Sequence, residues 1–199
     1  MVDRARGYRD GQSVGAMMRH LPNLLTWLRL AAAPMLAFLL VTGADRLALG
    51  VFAFAGLSDA ADGFLAKRFG FATRFGRFLD PAADKLLMLA AFVTLTVLKV
   101  TPLWLTLLVI ARDLAIVAGI VVARLFEIPI RVEPLFVGKL STAMQIIYVA
   151  LALFLLTFDL QWPRTLAAAA DATAVLTILS WLAYSGMGVR ALLRRPRSA

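Results

Sequence analysis

Apolar residues in this chain gather into six long stretches, at about residues 22–42, 46–66, 79–98, 102–123, 138–158 and 171–192. A bilayer hydrocarbon core of roughly 30 Å takes about 20 apolar residues per helical crossing. Backbone polar groups in lipid must be satisfied within the element itself, which favours helices. The connections are short and carry Gly, Pro or charge, as in Thr42-Gly43-Ala44-Asp45, Phe69-Gly70-Phe71 and Trp162-Pro163-Arg164. The pattern predicts an all-α membrane protein, a six-transmembrane-helix bundle over residues 21–193, flanked by an N-terminal segment 1–20 and a basic tail 194–199. Residues 13–20, with Met17 and Met18, predict a short amphipathic helix lying on the membrane surface. The start through Gly15 is Arg-rich and lacks the apolar core of a signal peptide, so the first span is expected to direct insertion.

Composition agrees, since 61% of the residues are hydrophobic and no soluble domain of 199 residues hides that much apolar surface. The net charge of +9 raises nucleic acid as a partner, but its distribution excludes that reading. Arg4, Arg6, Arg9, Arg19, Lys67, Arg68, Arg74 and Arg77 fall on one side of the predicted bundle. So do Arg124, Arg131, Lys139, Arg190, Arg194, Arg195 and Arg197. The other side holds only Arg46, Lys99 and Arg164, beside Asp45, Asp159 and Asp171. This positive-inside asymmetry places both termini in the cytoplasm. The chain has no cysteine, which excludes disulfides and thiolate metal sites.

Eight ionisable residues fall inside or at the edge of the spans: Arg29, Asp59, Asp62, Asp80, Asp84, Lys85, Arg112 and Asp113. Each costs about 2.5–3.5 kcal/mol at a span centre on insertion scales, and interhelical pairing or snorkelling is the bland explanation for any one of them. Nearly all of them lie in the cytoplasmic half, as an active site open to the cytoplasm requires. Asp59 and Asp62 are i, i+3 and Asp80 and Asp84 are i, i+4, so each pair shares a helix face on consecutive antiparallel spans. Four converging carboxylates repel one another unless cations sit between them. An all-oxygen donor set suits a hard ion, Mg2+ or Mn2+. Ala60, Ala61, Gly63, Ala66, Ala82 and Ala83 leave room beside the carboxylates, and Arg68, Thr73, Arg74 and Arg77 lie in or near the turn bracketed by Gly70 and Gly76, within reach of phosphate.

The run Asp59-Ala-Ala-Asp62-Gly63-Phe-Leu-Ala66-Lys67, eight residues, then Gly76-Arg-Phe-Leu-Asp80-Pro-Ala-Ala-Asp84 resembles the CDP-alcohol phosphotransferase signature. Seven of its eight fixed positions match in spacing, and Lys67 stands where that family usually has arginine. The resemblance implies six transmembrane helices, a homodimer and two divalent metal ions at the cytoplasmic side of a cell (inner) membrane. By position, Asp59, Asp62, Asp80 and Asp84 would hold metal, and Asp84 would also be the general base. Asp59, Gly63, Ala66, Lys67, Thr73 and Gly76 would line the CDP pocket.

Finer resemblances point within the family. Pro22-Asn23-Leu24-Leu25-Thr26-Trp27-Leu28-Arg29 is similar to an opening shared by phosphatidylglycerophosphate synthases and eukaryotic-type cardiolipin synthases, with Asn23 and Thr26 as further site candidates. The stretch from Leu47 through Gly50 and Gly56 to Asp59, together with Ala111-Arg112-Asp113 and Pro134-Leu-Phe-Val-Gly-Lys139-Leu-Ser141-Thr142-Ala-Met-Gln145, is more like the cardiolipin synthases. The other group tends to carry a second lysine at position 141. The resemblance therefore implies CDP-diacylglycerol as donor and phosphatidylglycerol as acceptor, with Arg29, Arg112 and Lys139 on the acceptor side. Glycerol-3-phosphate is the alternative acceptor.

Overall fold

The structure is a computed structural model that describes residues 27–69, 76–126 and 135–193, with side chains at 27–58, 82–126 and 135–188. All its regular structure is helical among the described residues: α1 Trp27–Val41, α2 Asp45–Phe69, α3 Gly76–Val97, α4 Leu103–Leu125, α5 Phe136–Thr157 and α6 Pro163–Leu193. Three of the six are long and apolar enough to cross a membrane, Leu103–Leu125, Phe136–Thr157 and Pro163–Gly188, while Trp27–Val41 is a shorter apolar helix. The segment 13–20 lies outside the described residues, as does the turn at Gly70.

The helices end where the sequence supplies the means. Gly43 takes the left-handed conformation at φ 74, which lets the amides of Gly43 and Ala44 fold back onto the carbonyls of Leu40 and Leu39 and stop α1. Asp45 then opens α2, its negative charge at the positive end of the helix dipole. The last expected span begins earlier than the apolar pattern indicates, at Pro163 rather than residue 171. Proline is favoured at a first helical position and the Ala167–Ala170 run propagates a helix, whereas the apolar pattern alone reads Trp162-Pro163-Arg164 as turn.

The described residues fall into two compact units, one running through Thr94 and the other from Leu95. In the first, Leu36, Leu40, Ala48, Phe52, Leu87 and Phe92 are buried. In the second, α6 packs on both α4 and α5. Its interior mixes Leu105, Tyr148, Val149 and Leu153 with Ser141, Thr173, Thr177 and Ser180, all four of these polar residues fully buried. Small and hydroxyl side chains let helices approach closely where lipid supplies no hydrophobic drive for association. The outward surface is apolar instead, with Phe38, Leu57, Leu114, Leu125, Phe136 and Leu182 exposed. Trp104 and Trp162 lie exposed near helix ends, where an aromatic belt meets the bilayer interface. That distribution belongs to a chain solvated by lipid.

Candidate active site

Asp59, Asp62, Gly63, Ala66 and Lys67 lie on the second half of α2, and Gly76, Asp80 and Asp84 on the first turns of α3. The helical backbone puts Asp59 and Asp62 about one turn apart and Asp80 and Asp84 likewise. Among these, the described side chain is that of Asp84. Asn23, Thr26 and Thr73 lie outside the described residues.

In the first unit, α1 delivers Arg29 to Asp84, with Nη1 donating to Oδ1 at 2.7 Å. The partners differ in environment, for the Arg29 side chain is 2% exposed and that of Asp84 is 44% exposed. The arginine is therefore a fixed cation in the protein interior, and the carboxylate it grips is partly exposed. A charge-assisted bond of this length fixes the carboxylate's orientation as well as its energy.

In the second unit, Arg112 is buried near the middle of α4 at 5% exposure. Its Nε and Nη2 donate to Ser180 Oγ in α6 at 3.3 and 2.7 Å, and its Nη1 donates to Asp113 Oδ1 at 2.8 Å. The guanidinium also stands 6.0 Å from the centre of the Tyr184 ring. Tyr184 in turn accepts a hydrogen bond from the Leu135 amide at 3.3 Å, at the start of α5. The ring lies against Gly138, where an added Cβ would come within 2.8 Å of its hydroxyl oxygen. Lys139, the next residue, is exposed on the first turn of α5.

Ser141 is fully buried and shares a 3.4 Å hydrogen bond with Thr177, which also accepts from Gln145 Nε2 at 3.4 Å. Gly138, Ser141 and Gln145 are thus the stripe by which α5 packs on α6. Sequence reasoning did not anticipate Ser180 or Tyr184. The signal available for them was their spacing, i and i+4 on one face of an apolar helix, in a position to answer a buried arginine.

Among the described residues no three acidic, histidine or cysteine side chains converge, three of the four motif carboxylates lying outside that set. The donor chemistry still fits a hard divalent cation: carboxylates at one-turn spacing on two helices, one of them partly exposed, and no cysteine in the chain.

Residues 19–185 match the CDP-alcohol phosphatidyltransferase family, so the chain belongs to that family and is an enzyme of that class. It is 36% identical over 149 residues to a cardiolipin synthase (CMP-forming) from Homo sapiens, a match that covers 67% of this chain and 50% of that protein. It is 37% identical over 190 residues to a probable phosphatidylglycerophosphate synthase from Mycobacterium tuberculosis, covering 90% of this chain and 87% of that one. A cardiolipin synthase (CMP-forming) from Streptomyces coelicolor is 36% identical over 176 residues, covering 84% and 75%. The chain spans about half the length of the human relative it matches.

Proposed function

We propose that this protein is a cardiolipin synthase, transferring the phosphatidyl group of CDP-diacylglycerol to phosphatidylglycerol and releasing CMP. The reading takes the protein as a homodimer of six-span subunits in the cell (inner) membrane, with both termini and the active site on the cytoplasmic side. The observation that carries the choice of acceptor is the start of α5, where Lys139 is exposed beside a neutral, buried Ser141. A glycerol-3-phosphate acceptor brings a dianionic phosphate, whose desolvation calls for several basic partners. A phosphodiester brings a single charge, which the exposed Lys139 answers with little further help, and its acyl chains remain in lipid.

In the proposed reaction, Asp59, Gly63, Ala66, Lys67, Thr73 and Gly76 bind the CDP moiety, and Arg29, Arg112 and Lys139 serve the acceptor side. Asp59, Asp62, Asp80 and Asp84 would hold two divalent cations, Mg2+ or Mn2+, which when bound neutralise the diphosphate and the departing CMP. Arg29 holds the Asp84 carboxylate in place. Asp84 takes the proton from the terminal glycerol hydroxyl of phosphatidylglycerol. That oxygen bonds to the phosphatidyl phosphorus as the P–O bond to CMP breaks, and CMP carries away the bonding pair. In-line placement of the two oxygens is the main demand of phosphoryl transfer, and fixed carboxylates on adjacent helix turns serve it.

Likeness to the mycobacterial relative favours a second reading, transfer to glycerol-3-phosphate. The test is kcat/KM for both acceptors at fixed CDP-diacylglycerol with the purified protein in lipid, products identified by mass. Cardiolipin as the dominant product is expected; preference for glycerol-3-phosphate would overturn the acceptor and leave the transfer chemistry standing.

A further inference from the structure

At the end of the second unit remote from Lys139, a cavity of about 540 Å³ opens between the α3–α4 turn, the α5–α6 turn and the first turns of α6. Its charged lining comprises Lys99, Asp159 and Asp171. Lys99 and Asp159 both occupy left-handed backbone positions, φ 62 and φ 50, at the ends of α3 and α5. Helix-ending turns of this kind usually carry glycine there. Each turn bordering this cavity instead presents a charged side chain, one of each sign.

Asp171 is the more unusual group. It lies eight residues into α6, roughly 12 Å along the helix at 1.5 Å per residue, inside the stretch long and apolar enough to span a membrane. Its side chain is exposed and has no ion pair or hydrogen bond among the described residues. An ionisable group within so apolar a stretch marks a candidate binding function unless something pairs with it. Lys99 has no ion-pair partner among the described residues either, and Asp159 accepts only from Gln161, at 3.3 Å. The cavity therefore offers one cation and two carboxylates, with apolar walls that include Leu166 and with the exposed Trp104 and Trp162 in its lining.

We propose that this cavity binds the headgroup of a phospholipid that carries a primary ammonium, a phosphatidylethanolamine-type zwitterion. Its phosphodiester meets Lys99, and its three ammonium N–H donors meet the carboxylates of Asp171 and Asp159. The acyl chains continue along the apolar wall into lipid, and the two tryptophans hold the interfacial level. A choline headgroup has no N–H to give these carboxylates. A phosphatidylglycerol headgroup brings a negative charge to a cavity whose own charge is already negative. The proposal concerns a site separate from the transfer reaction and does not depend on the acceptor assigned above.

The test is competitive retention in nanodiscs containing equal parts phosphatidylethanolamine, phosphatidylcholine and phosphatidylglycerol. The full chain is released in mild detergent and its bound lipids are counted by native mass spectrometry. Phosphatidylethanolamine is expected to be retained at least about tenfold over phosphatidylcholine, the weight of one charged hydrogen bond. Asp171→Asn should abolish that preference, and Lys99→Gln, at an exposed position, should lower retention of both zwitterions severalfold while leaving their ratio in place. Equal retention of the two zwitterions, strongest retention of phosphatidylglycerol, a preference that survives Asp171→Asn, or retention unchanged by Lys99→Gln would each overturn the proposal.

Discussion

Arg29 and Asp84 lie 55 residues apart in sequence and meet at 2.7 Å, and their unequal exposure assigns them unequal work. The buried guanidinium is immobilised by its surroundings, so it acts as a bracket for a carboxylate that is itself partly exposed. If Asp84 is the base, Asp84→Asn removes proton transfer while its amide oxygen still accepts from Arg29. The expected result is a fall in kcat of about 10²–10⁴-fold with CDP-diacylglycerol affinity changed only severalfold, read by turnover against equilibrium binding. Poor binding with normal turnover at saturation would remove Asp84 from that role. The other carboxylates carry a separate expectation. Activity should vanish with EDTA and return with Mg2+ or Mn2+, and Asp80→Asn should weaken that restoration without unfolding the protein. Undiminished activity in EDTA would eliminate the metal assignment.

Between α5 and α6 the decisive contact is a glycine under an aromatic ring. Gly138→Ala drives a Cβ to 2.8 Å from the Tyr184 hydroxyl oxygen, which also holds the Leu135 amide, so the ring or the start of α5 must shift. A cost of about 1–3 kcal/mol is typical of such overpacking. A drop of several degrees in the detergent-phase Tm is expected for this variant, and Gly119→Ala, with nothing within 4 Å of its new Cβ, should leave Tm unchanged or slightly raised. Equal behaviour of the two variants would show that the Tyr184 contact does not brace α5.

The same helices show what the sequence could reveal. Periodic apolar runs and the Gly43 turn mark the helices closely, because hydropathy and the left-handed φ are local properties. The start of α6 was misplaced because Asp171 interrupts the apolar pattern, while the helix propensity of the preceding alanines continues through it. The charge motif singled out Asp84 and Arg29 but not their pairing, since nothing local tells which cation a carboxylate will meet. At Ser141 the sequence shows the absence of a lysine but not the partner, and the structure adds that the hydroxyl is buried against Thr177. Spacing alone does not say which way a helix is turned.

At the scale of the whole molecule, the absence of cysteine makes orientation directly measurable. Single cysteines introduced at Gly43 and Val100 should react with a membrane-impermeant thiol reagent from outside intact cells, and one at Ser198 only after permeabilisation. The charge asymmetry read from the sequence predicts this arrangement, with both termini on the side expected to carry the basic residues. Reagent entering at Ser198 in intact cells would invert the topology and move the proposed active site with it.

The bond between Arg112 and Ser180 spans 68 residues of sequence, and this sets a schedule for biogenesis. As the chain emerges, α4 reaches the insertion machinery while the residue that will satisfy its guanidinium has yet to be made. At about 5–20 residues per second the interval lasts roughly 3–14 s. Asp113 travels with Arg112 as an immediate neighbour, so the arginine enters with one counter-charge and waits for the rest. A chain truncated before α6 would never end that wait. It would leave a poorly solvated cation in the bilayer, so incomplete copies of this protein should be less stable there than the full chain.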